Sequence, residues 1–131
     1  MGSSTSGIKV TVVVATYRSG EGLMRLIDSL DAQTLPRDEW EAIFVDDGSP
    51  DDTFERLQKL AETRPNMRVE RIENTGWPCR PRNLGTDLAR GEYVLYSDHD
   101  DIIYPDALRA GYEFAHAAGA DALNAKEART D

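Results

Sequence analysis

Apolar and β-branched residues gather into runs that alternate with helical spacing along the whole chain. Residues 8–15 (Ile-Lys-Val-Thr-Val-Val-Val-Ala) are almost continuously of this type, the pattern of a strand covered on both faces. A second run, residues 41–45 (Glu-Ala-Ile-Phe-Val), ends in Asp46-Asp47-Gly48-Ser49. Weaker runs at 68–72 and 92–96 predict two further strands, and Ala-Leu-Asn-Ala at 122–125 opens a fifth.

Between these runs the period changes. Leu23, Leu26, Ile27 and Leu30 recur at i, i+3, i+4 and i+7, with Ser19 placed to cap the helix and Glu21 in its first turn. Ser49 and Pro50 read as the cap and first residue of a second helix, whose buried stripe is Phe54, Leu57, Leu60 and Ala61. Pro81 opens a third helix with Leu84, Leu88 and Ala89, stopped by Gly91. Pro105 opens a fourth, with Leu108, Tyr112 and Ala115 on one side.

Strand–helix alternation predicts βαβ units and an α/β fold, a mostly parallel Rossmann-like sheet with flanking helices. In such sheets ligands bind beyond the carboxyl ends of the strands. One domain is expected over residues 8–131, behind a flexible polar leader over 1–7 that has no charged or apolar signal region. The chain stops soon after the fifth strand begins, which gives the pattern of a domain cut short.

Composition narrows the function. A net charge of −9 leaves no basic field to neutralise phosphates, so broad nucleic-acid binding is not expected. A single cysteine, Cys79, excludes an internal disulfide and fits a reducing compartment. No GxGxxG follows the first strand and no GxxxxGK[ST] is present, which argues against a dinucleotide dehydrogenase and a P-loop enzyme.

The unusual polar clusters all fall at predicted strand ends: Thr16-Tyr17-Arg18, Asp46-Asp47-Gly48-Ser49, the segment 74–83, and Ser97-Asp98-His99-Asp100-Asp101. Asp98, Asp100 and Asp101 repel one another unless a cation or proton intervenes, and an oxygen-rich site of this kind suits Mg²⁺ or Mn²⁺. A plain solvated turn with a helix-capping aspartate is the ordinary alternative. Asp46 and Asp47 read either as a turn with a cap or as acceptors for a ligand's N–H and hydroxyl groups. Arg80 and Arg82, local cations in an acidic protein, suit a diphosphate or carboxylate clamp, or salt bridges to nearby aspartates. Trp77 is equally a stacking platform or a packing residue. Cys79 reads as structural, His99 as a spacer and His116 as an ordinary residue late in a helix.

Together, Val12-Val-Val-Ala-Thr-Tyr17, Phe44-Val-Asp-Asp-Gly-Ser-Pro-Asp-Asp-Thr53, Arg82-Asn-Leu-Gly85 and Gly91-Glu-Tyr-Val-Leu-Tyr-Ser-Asp-His-Asp-Asp101 resemble family 2 glycosyltransferases of the GT-A fold. The Arg-Pro-Arg-Asn-Leu-Gly form is similar to bacterial wall-polymer enzymes such as those that glycosylate teichoic acids. The resemblance implies that Thr16 and Tyr17 line a nucleotide pocket, that Asp46 and Asp47 contact nucleobase and ribose, and that Arg82 lies near the nucleotide. It implies that Asp98 and Asp100 hold Mg²⁺ or Mn²⁺ on the diphosphate of a nucleotide-diphospho-sugar, here a UDP-sugar, with Asp98 also on the donor. The sugar would pass with inversion to a hydroxyl of a carbohydrate or polyol-polymer acceptor, in cell-wall polymer or polysaccharide synthesis. In the family the catalytic base lies beyond the DxD motif, so it is expected past Asp131.

A cytoplasmic location is expected, with the inner face of the membrane as one option. The sheet edge and apolar surface left at the fifth strand favour a homo-oligomer. A non-catalytic nucleotide-sugar-binding module is the rival reading, and a metal-dependent phosphotransferase using the same aspartates is a third.

Overall fold

The computed structural model describes residues 8–74, 79–99 and 101–119; the expected leader over 1–7, the strand over 122–125, Trp77 and Asp100 lie outside them. Strands β1 (Val10–Thr16), β2 (Trp40–Asp46), β3 (Met67–Arg71) and β4 (Tyr93–Asp98) form one sheet in the order β3-β2-β1-β4. All the pairings are parallel. The two most apolar runs are the central strands: every residue of β2 and all of β1 except Ala15 are buried. The flanking β3 exposes Arg68 and Arg71, and β4 alternates, with Tyr93, Leu95 and Ser97 buried.

Helices α1 (Gly22–Asp31), α2 (Thr53–Ala61), α3 (Cys79–Leu88) and α4 (Ala107–Ala118) complete the layers. Side chains alternate across a strand, so Val10, Val12 and Val14 share a face with Ala42, Phe44 and Leu95. That face is covered by Leu23, Leu26, Ile27 and Leu30 of α1, Leu57 of α2, and Leu108 and Ala115 of α4, in a single core. Burying each large aliphatic side chain there contributes about 1.5–3 kcal/mol. Val13 points the other way, against α3. A Cβ on Gly85 would stand 2.5 Å from Val13 Cγ1, so only glycine lets α3 lie this close to the sheet.

Element ends depart from expectation for identifiable reasons. Ser19 does not cap α1; Glu21 holds that position without a side-chain bond, and the Ser19 N–H donates to Thr53 Oγ1. Helix α2 begins at Thr53 and not at Pro50, because the N–H and hydroxyl of Ser49 both go to Asp46. Asp51 Oδ1 instead accepts the Thr53 N–H. Strand β4 continues through Ser97 and Asp98, since its ladder with β1 holds as far as Ala15 opposite Asp98. Helix α3 starts at Cys79, ahead of Pro81, and α4 at Ala107, behind Pro105. Among the described residues no helix is long and apolar enough to cross a membrane.

Candidate functional site

The carboxyl ends of β1, β2 and β4 open onto a cavity of about 480 Å³, within the range of small-molecule sites. Thr16, Tyr17, Asp47, Asn74, Arg82 and Asp98 line it, with His99 beside them. Parallel strands deliver their turns to one edge, so four separate polar segments meet there although they lie far apart in sequence.

The first wall is a clamp between two turns. Asp46, at the end of β2, is wholly buried. Its Oδ1 accepts from the Thr16 hydroxyl at 2.9 Å and the Ser49 hydroxyl at 2.6 Å, and its Oδ2 from the Ser49 N–H at 2.8 Å. Ser49 Oγ in turn accepts the N–H of Arg18 at 3.0 Å. Arg18 has φ +51°, the left-handed region that non-glycine residues seldom adopt, and this hydrogen bond holds it there. The twist leaves Tyr17 exposed at the cavity mouth with the Arg18 guanidinium 5.5 Å from its ring centroid.

Asp47 follows on the cavity side. Its N–H donates to the Thr16 carbonyl at 2.9 Å, and its own carbonyl accepts from Asn74 Nδ2 at 3.0 Å. Gly48 lies at φ +66°, and a Cβ on it would stand 2.6 Å from the Asn74 backbone nitrogen. Glycine at this position therefore allows the segment after β3 to close onto the turn. Just outside, the side-chain and backbone hydrogen bonds from Thr53 hold the Asp51 carboxyl below the usual carboxylate range.

The opposite wall comes from β4 and α3. The Asp98 N–H donates to Asp101 Oδ2 at 2.9 Å, and Ser97 Oγ lies 3.3 Å from the same oxygen. Asp101 thus ties the turn that carries the acidic motif. The Asp98 side chain remains exposed, with Arg82 Nη2 3.5 Å from its Oδ1. The Thr86 hydroxyl donates to the Arg82 carbonyl at 2.8 Å and lies 2.7 Å from the Tyr96 hydroxyl, which fixes the start of α3 to β4.

Among the residues expected at a site, Thr16, Tyr17, Asp47, Arg82 and Asp98 come together at this cavity. Asp46 is not among the lining residues; its oxygens receive the Thr16 and Ser49 donors and so join the two turns. Asp100 lies outside the described residues. Asn74, which opens the 74–83 cluster but was given no role of its own, and His99, read as a spacer, both stand on the cavity wall. The first could have been sought wherever a glycine turn needs a neighbour pressed against it.

Among the described residues no group of three or more metal-ligating side chains converges. What is present still fits a hard divalent cation of the Mg²⁺ type. Such ions take one or two protein carboxylates and complete their shell with water and substrate phosphate. Asp98 offers an exposed carboxylate at the cavity, and the neighbouring His99 Nδ1 is a buried polar atom without a hydrogen-bond partner among the described residues.

Residues 11–126 match the family described as Glycosyl transferase family 2. The chain belongs to that family. A poly(ribitol-phosphate) beta-glucosyltransferase of Bacillus spizizenii is 38% identical over 109 residues, covering 82% of this family 2 chain and 17% of the relative. The crystal structure of Staphylococcus aureus TarS 1–349 in complex with UDP-GlcNAc superposes with a TM-score of 0.78 at 35% identity, covering 84% of this chain and 32% of that one. A mannosyltransferase from Pyrobaculum calidifontis, solved with GDP-Man and Mn²⁺, gives a TM-score of 0.72 at 29% identity, with 82% of this chain and 32% of that one. The chain therefore shares the GT-A type of α/β fold and spans between 11% and 37% of the length of curated relatives of this kind.

Proposed function

We propose that this chain is the donor-binding part of a family 2 glycosyltransferase that takes a nucleotide-diphospho-sugar, a UDP-sugar, and delivers the sugar with inversion to a hydroxyl of a cell-wall polyol-phosphate polymer. The observation that carries the reading is the convergence of Tyr17, Asp47, Arg82 and Asp98 on one cavity at the carboxyl edge. The poly(ribitol-phosphate) relative and the UDP-GlcNAc complex supply its substrate class. A cytoplasmic location goes with it.

In this reading Tyr17 and Asp47 bind the nucleoside. Asp47 accepts hydrogen bonds from the base or ribose, and Asn74 holds the Asp47 backbone in place. Arg82 offers a planar fork of donors to the diphosphate. Asp98, with Asp100, would hold Mg²⁺ or Mn²⁺, which supplies charge neutralisation on the departing diphosphate. Thr16, Asp46 and Ser49 keep the two turns rigid, so that the nucleotide meets a preformed wall. The base that takes the acceptor's proton is not assigned to any of these residues.

Calorimetric titration of the 131-residue protein with UDP tests the reading. Binding is expected in Mn²⁺ and should weaken at least tenfold in EDTA or in Asp98→Asn. Equal affinity with and without Mn²⁺ would remove the cation, and no UDP binding in either condition would overturn the donor site.

A further inference from the structure

Two groups that a cation–diphosphate pair would each claim are already paired with one another in the ligand-free chain. Arg82 Nη2 lies 3.5 Å from Asp98 Oδ1, and both side chains line the cavity. The root of Arg82 is fixed, because its carbonyl accepts from Thr86 and Thr86 is joined to Tyr96 on β4. Its tip is not fixed in this way. The Arg82 side chain is 45% and the Asp98 side chain 62% exposed, and exposed pairs of this kind contribute little. The contact is easily exchanged.

A divalent cation on the Asp98 carboxylate competes with a guanidinium in the same place, since two positive groups would then repel one another across one carboxylate. Displaced from Asp98 but still anchored at its root, Arg82 stays within the same cavity as any diphosphate the cation recruits. We propose that Arg82 is an exchange partner. It occupies Asp98 while the cation is absent, yields that carboxylate to the cation, and transfers its donors to the diphosphate of the incoming nucleotide. The inference rests on the donor-binding reading above and goes beyond it. It makes one side chain oppose the cation alone yet favour the cation and nucleotide together, so the two ligands bind with positive coupling.

The coupling predicts effects of opposite sign from one substitution. Mn²⁺ binding to the 131-residue protein without nucleotide is read from the loss of the free-Mn²⁺ paramagnetic resonance signal. UDP affinity is read by calorimetry at saturating Mn²⁺. Arg82→Gln should tighten Mn²⁺ binding about threefold, the change expected when an exposed ion pair no longer competes, and weaken UDP binding at least about tenfold. Arg82→Lys should keep most of the competition with Mn²⁺ while losing part of the UDP affinity, because a point charge lacks the fork. Arg68→Gln makes the same change in net charge on β3, at the opposite side of the sheet from β4, and should alter neither reading.

Mn²⁺ affinity unchanged or weakened in Arg82→Gln would overturn the exchange while leaving the donor site standing. Equal tightening in Arg68→Gln would also overturn it, as an effect of overall charge. Wild-type UDP binding with no Mn²⁺ binding at all would remove the cation and the exchange together. Absence of wild-type UDP binding would instead strike the donor-binding reading itself.

Discussion

Replacing Asp46 separates a residue that shapes the site from one that touches the ligand. The wholly buried carboxylate receives three hydrogen bonds, from the Thr16 hydroxyl, the Ser49 hydroxyl and the Ser49 N–H. In Asp46→Asn one oxygen becomes an NH₂ group. If it faces the Ser49 N–H, two donors oppose each other. If it faces the hydroxyls, Ser49 Oγ must accept from it while still accepting from the Arg18 N–H. Either way about one buried polar group loses its partner, which costs about 1–3 kcal/mol. Asp46→Ala strands all three donors and should cost about 3–5 kcal/mol, a large part of the 5–15 kcal/mol that holds a typical domain. Urea unfolding followed by circular dichroism gives the stability, and UDP titration of the folded protein gives the affinity. The expected result is a clear loss of stability in Asp46→Asn with a smaller loss of UDP affinity than in Asp47→Asn. A stability change under about 0.5 kcal/mol accompanied by a large loss of UDP affinity would refute the clamp and return Asp46 to direct ligand contact.

Gly48→Ala should destabilise by about 2–4 kcal/mol in urea unfolding, combining a left-handed backbone cost with the 2.6 Å approach of its Cβ to the Asn74 nitrogen. Glu41, near the amino end of β2, accepts from the Thr11 hydroxyl and from the backbone and guanidinium of Arg90. Glu41→Ala should therefore cost about 3 kcal/mol of stability and leave UDP affinity of the folded protein unchanged, because this cluster lies at the end of the sheet opposite the cavity. Acid sensitivity should come in part from Asp51, held low by Thr53, and from Asp106, held low by Thr34 and then Arg109. Both are depressed in the folded chain, so their stabilisation is present above the ordinary value of 3.8 and fades as pH falls through the lower folded values. Urea midpoints measured from pH 7 down to about pH 3 should drop less steeply in the Asp51→Asn/Asp106→Asn double variant than in the wild type.

How much of this could be read from the chain alone depended on what made each signal. Strands β1 and β2 were legible because burial on both faces forces a continuous apolar run, and the α1 stripe because all four of its apolar positions enter one core. The end of β4 was not legible, since ladder hydrogen bonds extend through Ser97 and Asp98 without regard to polarity. The start of α2 misled because Ser49 has the chemistry of a cap but spends it on Asp46, three residues earlier. Adjacent residues at a strand end point in opposite directions. A run of two aspartates therefore announces a site without saying which of them faces it, and here Asp47 and not Asp46 lines the cavity.

The two acidic turns solve one electrostatic problem in the same way. Adjacent carboxylates in a chain of net charge −9 repel one another and repel an anionic donor. In the β2 turn Asp46 is saturated by donors from two segments, while Asp47 lines the cavity. In the β4 turn Asp101 takes the Asp98 N–H, while the Asp98 carboxylate stands exposed beside Arg82. Each turn thus spends one carboxylate on holding the backbone and brings another to the cavity wall. Among the described residues that line the cavity, Arg82 is the one cation. In the proposed reading the donor's diphosphate adds further negative charge there, which favours a cation beside the exposed Asp98 carboxylate.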